Sequence, residues 1–281
     1  MRIFRGKSQS RSGLSELKPT RLSKPNPMTA SSLIQRMQKV LAARLHRKTA
    51  RRTAPKAMIS FTFDDFPRSA AGAAGRMLSD YGVRGTYYAA LGMMGTTTVV
   101  GEMFERSDLE TLVSAGHEIA CHTFGHVLCS NVAGPELLAN CRNNRLRIAE
   151  VLNGYAFENF SFPEGVVTVS ARTALNSVYR TCRTIEPGIN RDPVDLGFLR
   201  ANRIYSNRGI GKVKELIRQN QRESGWTILY THDVCETPSP YGCKPQEFRE
   251  VLEYAAQSGA EILSVSEASK RFTESSGNSL A

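Results

Sequence analysis

"AMISFTFDDF" runs from Ala57 to Phe66 and sets two carboxylates, Asp64 and Asp65, at the end of an apolar stretch. The stretch has strand length and reads as buried. A strand turns successive side chains to opposite faces, so neighbouring acids do not share one. A buried carboxylate is costly unless it meets a proton or a cation. The pair therefore marks a core strand that ends in chemistry.

Outward from this stretch the pattern alternates. Strands are expected at 57–63, 84–90, 117–121, 158–162, 178–184, 200–205, 226–231 and 260–264. Helices are expected between them at 69–80, 107–115, 134–153, 168–177, 208–223 and 244–258. Ser107 ahead of "DLETL" and Gly134-Pro135 ahead of a long periodic run are helix-start signals. Short apolar strands alternating with helices predict an α/β fold with a parallel sheet, open or closed into a barrel. The connection 91–106, "LGMMGTTTVVGEMFER", is long enough to be a functional loop or an ordinary insertion.

The net charge of +11 resides in one end of the chain. Residues 1–56 hold 15 Lys and Arg against one acid, Glu16, and the remainder holds 22 bases and 25 acids. A neutral body beneath a basic tail argues against a nucleic-acid partner, whose footprint belongs in the fold itself. Residues 1–28 are rich in Ser, Pro, Lys and Arg and are expected to be disordered. Residues 29–48 place Leu33, Ile34, Met37, Val40, Leu41 and Leu45 at helical spacing with a basic opposite face. That helix is expected either to lie on an anionic membrane surface or to pack on its own domain. A single catalytic domain is expected over 57–268, with a flexible tail at 269–281.

No run approaches the ~18 consecutive apolar residues of a membrane span, and no classical secretory signal opens the chain. The expected location is cytoplasmic or peripheral to a membrane. The six cysteines lack paired CxxC spacing and are expected to be reduced. Cys235 and Cys243, flanking "ETPSPYG", are the pair that could close a loop.

In parallel α/β folds, chemistry gathers at the C-terminal ends of the strands. Those ends carry Asp64 and Asp65, then His122 and His126, then Pro163-Glu164-Gly165, then His232 and Asp233. The spacing of His122 and His126 would put both imidazoles on one side of a helical turn, a usual source of two ligands for Zn²⁺ or a similar ion. One aspartate can complete a three-ligand set that leaves positions for water and substrate. The other stays ionised beside the cation and can take a proton.

Four segments, "FTFDDF", "HEIACHTFGH", "FSFPEG" and "ILYTHD", resemble in this order the sequence blocks of the NodB-homology polysaccharide deacetylases, carbohydrate esterase family four. "VRGTYYAA" is similar to that family's second strand. The resemblance covers about residues 57 to 268 and implies a distorted (β/α) barrel. It implies a metal-dependent hydrolase that removes N-acetyl groups from an N-acetylhexosamine-containing saccharide. Asp65, His122 and His126 would hold a divalent metal, Zn²⁺ with Co²⁺ or Mn²⁺ as alternatives. Asp64 would be the general base, the backbone N–H of Glu164 would stabilise the oxyanion, and His232 would protonate the departing amine. Two other functions compete: hydrolysis of a small non-sugar amide at the same site, and a catalytically silent carbohydrate-binding homologue.

This chain departs from the family pattern at three places. Phe66 stands where the first block ends in Gly, and Glu164 stands in place of an aromatic. Ser161 replaces the arginine that contacts the base, and "RDPVDLGFL" offers Asp192 or Asp195 but no Trp. Asp64 is then expected to rely on the metal alone, or on a basic residue from another segment such as Arg191 or Arg200.

Overall fold

The computed structural model describes residues 37–38, 40–53 and 56–274. The strand read from the opening stretch is the hub of the architecture. The strands in chain order are β1 (Thr49–Arg52), β2 (Met58–Asp64), β3 (Thr86–Ala89), β4 (Thr97–Thr98), β5 (Gly101–Glu102), β6 (Glu118–Cys121) and β7 (Asn159–Ser161). They continue as β8 (Thr181–Arg183), β9 (Val194–Asp195), β10 (Asn202–Arg203), β11 (Trp226–Thr231), β12 (Glu261–Ile262) and β13 (Phe272–Glu274). The helices are α1 (Gly75–Asp80, entered through a wide turn at Ala70–Ala74), α2 (Arg106–Ser114), α3 (Gly134–Val151), α4 (Val169–Asn176), α5 (Gly211–Glu223), α6 (Pro245–Gln257) and α7 (Val265–Ser269).

The main sheet has the order β10-β11-β2-β3-β6-β7-β8, and its pairs are parallel. β12 pairs with Met58 and Ile59, and β3 takes over the same edge of β2 from Thr62. The stretch 196–201 spans the gap between the end strands. Its Leu199 N–H donates to Cys182 O at 2.9 Å, and its Leu199 O accepts from Thr184 N–H at 2.8 Å. The result is a curled sheet with helices, a distorted (β/α) barrel in one domain.

Every residue of β2 is buried, which explains its continuous apolar run. Phe63 stacks on Tyr87 with ring centroids 4.5 Å apart. Burying Phe61 and Phe63 fully is worth roughly 1.5–3 kcal/mol each. The strand's polar atoms are satisfied within the sheet. Trp226 Nε1–H donates to Ser60 Oγ at 2.9 Å, and Thr62 Oγ1 donates to Leu229 O at 2.9 Å. Phe66, which stands where the first block would end in Gly, turns into the core and stacks on Phe104 at 4.4 Å.

The folded body extends past 57–268 at both ends. β1 pairs antiparallel with β13 and β9 in a separate three-stranded sheet, so 49–52 and 272–274 belong to the fold. The sequence "TARR" concealed β1 because its charge resembles the tail's. Ala50 is buried there while Arg51 faces outward and pairs with Asp192 at 3.7 Å. Residues 1–36, 39, 54–55 and 275–281 lie outside the described residues; they include all of the stretch 1–28 expected to be disordered and the start of the helix expected at 29–48.

Of that helix, residues 37, 38 and 40–44 are described. It docks through Ala42, which is buried, and through its closing carbonyls: the Arg172 guanidinium donates to Ala42 O and to His46 O. Met37, Val40, Leu41 and Leu45 remain exposed, so the apolar spacing does not mark the packed face. No described helix is long and apolar enough to cross a membrane. All six cysteines are free thiols.

Candidate active site

The two acids of the opening stretch reach one cavity because the chain leaves strand geometry between them. Asp64 is the last residue of β2, whereas Asp65 has φ +51°, a left-handed conformation. Both line a cavity of about 470 Å³, together with His122, His126, Glu164 and His232. Strict strand alternation would have sent one acid away. All six residues selected from the sequence therefore meet.

His122 and His126 are brought together by a bend rather than the expected helical turn. Residues 122–126 are not helical, and Thr123 and His126 have φ of +62° and +53°. These left-handed residues fold the chain back until the imidazole centroids are 5.1 Å apart. The bend is braced from three sides. Val127 N–H donates to Thr123 Oγ1 at 2.8 Å, Phe124 N–H donates to Asn140 Oδ1 at 2.6 Å, and Phe124 O accepts from Gly92 N–H at 2.8 Å. A Cβ at Gly92 would lie 2.7 Å from that carbonyl, so the close approach requires glycine.

Asp65, His122 and His126 present a donor set that fits a divalent metal. One ligand atom from each lies within 4.8 Å of the others. His122 Nε2 is 3.7 Å from Asp65 Oδ1, and His126 Nε2 is 3.3 Å from Asp65 Oδ2. His122 Nδ1–H donates to Ser161 O at 2.8 Å, which leaves the Nε2 lone pair facing the cluster. Burial pushes the His122 imidazole down to about 4, against the pull of Asp65 and Asp64, so the ring is neutral. Asp65 Oδ1 is buried and has no hydrogen-bond partner among the described residues. A carboxylate oxygen left so is stable only beside a cation.

Asp64 meets a different partner. The Arg183 guanidinium, at the end of β8, donates to Asp64 Oδ1 and to Ser161 Oγ. Both members of the ion pair are buried. Arg183 is sandwiched by the rings of Tyr88 at 4.7 Å and Tyr230 at 5.2 Å. Burial raises the Asp64 carboxyl, but the charge and hydrogen bond of the Arg183 guanidinium outweigh it and hold the group below the usual carboxylate range.

Arg183 corrects the sequence reading. Arg191 instead pairs with Glu223 at 2.7 Å, and Arg200 Nη1 donates to Pro187 O at 2.9 Å. Asp192 and Asp195, read as candidate acids, serve elsewhere: Asp192 accepts from Arg52 N–H, and Asp195 pairs with Arg172. The signal for Arg183 was available. It lies at the end of the strand expected over 178–184, the place where the other strands carry their chemistry.

His232 follows β11 and keeps a half-buried ring at the cavity wall. Its Nδ1–H donates to Tyr241 O at 3.3 Å, and its backbone N–H donates to the same oxygen at 3.2 Å. Asp233 organises the loop that supplies this carbonyl, accepting from Ser239 N–H at 2.7 Å and from Ser239 Oγ–H. Glu164 sits in the turn Pro163–Gly165 with φ +52° and also lines the cavity. The long connection 91–106 folds into the β4–β5 hairpin, whose tip residues Val99 and Val100 also line the cavity. Sequence reading did not anticipate the other wall residues, Ile185, Arg203, Tyr205, Tyr230 and Tyr241.

Comparison with known proteins gives one family match and several similar folds. Residues 51–181 match the family model for polysaccharide deacetylase. The fold is similar to the Xyl-CE4 domain of a multidomain xylanase from the hindgut metagenome of Trinervitermes trinervoides, with 17% identity and TM-score 0.54 over 77% of this chain and 91% of that one. It is also similar to the chitin deacetylase of Colletotrichum lindemuthianum, with 13% identity and TM-score 0.53 over 77% and 88%. A family 4 acetyl xylan esterase from Clostridium thermocellum, solved with a cobalt ion, matches at 15% identity and TM-score 0.50 over 75% and 89%. At these identities the structural likeness shows the fold. No curated protein matches the chain.

Proposed function

From the match of residues 51–181 to the polysaccharide deacetylase family model, we propose that this chain is a metal-dependent hydrolase removing N-acetyl groups from an N-acetylhexosamine-containing saccharide. The observation that carries this reading is the pairing of two devices in one cavity. Asp65, with its orphaned buried oxygen, stands beside His122 and His126, while Asp64 and His232 line the same space.

A divalent ion held by Asp65, His122 and His126, Zn²⁺ by its donor set with Co²⁺ or Mn²⁺ as alternatives, would polarise the acetyl carbonyl and acidify a water. Asp64 takes the proton of the attacking water. Arg183 keeps Asp64 ionised and fixes its orientation, at some cost in basicity. The Glu164 backbone N–H stabilises the charge that develops on the acetyl oxygen. His232, anchored through Nδ1 to Tyr241 O, offers Nε2 to protonate the departing amine. A binding protein would need neither Asp64 nor His232, and their presence favours catalysis over a silent homologue.

The test is acetate release from N-acetylglucosamine oligomers by metal-loaded and by chelated protein. Release that requires the metal is expected. Equal release by chelated protein would overturn the metal dependence. Release only from small amides or from O-acetylated xylan would overturn the substrate.

A further inference from the structure

A second cavity of about 450 Å³ shares two wall residues, Ile185 and Arg203, with the site described above. Its polar wall includes Asn202 but no carboxylate, and its other charged wall residues, Arg208 and Lys212, are both basic. Neither residue has an ion-pair partner among the described residues, and the first turn of α5, which carries Lys212, holds no acid. Arg203 is held in place by its Nε–H bond to Tyr230 Oη at 3.1 Å and by the Tyr205 ring at 5.9 Å. Those contacts use one edge of the guanidinium and leave its two Nη groups for another acceptor. The body beyond residue 56 carries a net charge of −3 (22 bases, 25 acids), so three cations around one hollow are a local concentration. All three are exposed, so water screens part of their mutual repulsion, and an anion received among them would offset the remainder.

We infer that this cavity receives an anionic group of the saccharide, a phosphate ester, while the N-acetyl group of the same molecule lies in the adjoining site. Arginine forks match phosphate oxygens two at a time, and Lys212 adds a point charge. Apolar Ile185, Pro187, Val213 and Leu216 form much of the remaining wall and lower the local dielectric, which strengthens the attraction. Arg203, at the junction of both cavities, would set the separation between anion and acetyl group. The inference deepens the proposed deacetylase reading and rests on it for the position of the acetyl group.

The experiment compares N-acetylglucosamine 6-phosphate, N-acetylglucosamine 1-phosphate, a carboxylate-bearing N-acetyl sugar and neutral N-acetylglucosamine oligomers as substrates. Wild-type protein is set against Arg208→Gln/Lys212→Gln and the single Lys212→Gln. For a phosphorylated substrate, the double variant should raise KM about tenfold or more with kcat within about twofold, in line with the loss of charge-assisted bonds. Its constants for neutral oligomers should not move. Equal changes for neutral and phosphorylated substrates, or none for either, would overturn the inference. A loss confined to the carboxylate sugar would replace phosphate by carboxylate. Calorimetric binding of glucosamine 6-phosphate separates the two readings. Binding weakened in the variant without deacetylation of any substrate retains the basic subsite and sinks the deacetylase. Deacetylation of neutral oligomers with no phosphosugar binding does the reverse.

Discussion

Arg183 and Asp64 form a buried ion pair between β8 and β2, strands that are not neighbours in the sheet, with Ser161 of β7 accepting from the same guanidinium. The family pattern places an arginine at Ser161, so the cation now reaches the base from the next strand over. Arg183→Met should leave an uncompensated carboxylate in the core. A loss of about 3–5 kcal/mol of stability is expected, together with most of the activity. Ser161→Arg alone should also fail, because two guanidinium groups would then face one carboxylate. The swap Ser161→Arg/Arg183→Ser should recover activity over either single variant. Acetate release and urea unfolding of the three proteins measure this, and a swap no better than the singles would refute the relocation.

The adjacent aspartates should separate cleanly. Asp64→Asn is expected to keep the metal and lose activity by roughly 10²–10⁴-fold, the range for a general base. Asp65→Asn, His122→Ala and His126→Ala should each lose metal and activity together, since two remaining ligands hold a catalytic ion poorly. Elemental analysis of the purified variants decides it. Metal retained by Asp65→Asn but lost by Asp64→Asn would reverse the roles.

Deletion of residues 1–56 should destabilise the protein, although their composition marks them as a tail. The deletion removes β1, exposes the partners of buried Ala50, and frees the Arg172 guanidinium from Ala42 O and His46 O. The point variant Ala50→Asp should lower the melting temperature in the same direction by burying a charge. Unchanged melting of both proteins would show that β1 contributes nothing.

His117 predicts a pH signature away from the site. Its Nδ1 accepts from Gly85 N–H at 3.0 Å, and Nε2 lies 3.2 Å from Gly75 O, a pattern that only the neutral ring satisfies. Burial holds its pKa below the usual 6.5, helped by Arg84 and opposed by the bond to Gly75 O. The unfolded chain therefore binds this proton first as pH falls. Stability from His117 is complete above about pH 6.5 and declines as pH drops from there towards the folded-state value. His117→Gln should flatten the slope of unfolding free energy between about pH 7.5 and 5.5 relative to wild type. An identical slope in both proteins would exclude the assignment.

The eight strands of the barrel were legible because buried parallel strands are short apolar runs separated by helix signals. The convergence of the candidate residues on one cavity was legible for a related reason: strand ends deliver side chains to one rim. Three things were hidden. β1 was hidden because Arg51 and Arg52 gave a strand the composition of a tail. The bend 122–126 was hidden because i, i+4 spacing does not distinguish a helical turn from a left-handed reversal. Arg183 could be read as a strand-end residue, but its pairing was hidden, since nothing local in "TCRT" shows which carboxylate a distant strand will present. That pairing is a property of the closed sheet and of its curvature.

Four residues without a glycine's freedom, Asp65, Thr123, His126 and Glu164, hold left-handed backbone at or beside the cavity. Conformations of this kind cost of order 1–3 kcal/mol each, with less for Asp. The rim is therefore assembled against local preference and kept there by the barrel behind it. Glycine at Thr123 or Glu164 would relax the chain, and glycine at Asp65 or His126 would relax it while deleting a donor. A screen of this protein for heat resistance alone would accumulate such changes and drift towards a sturdier barrel with an empty mouth.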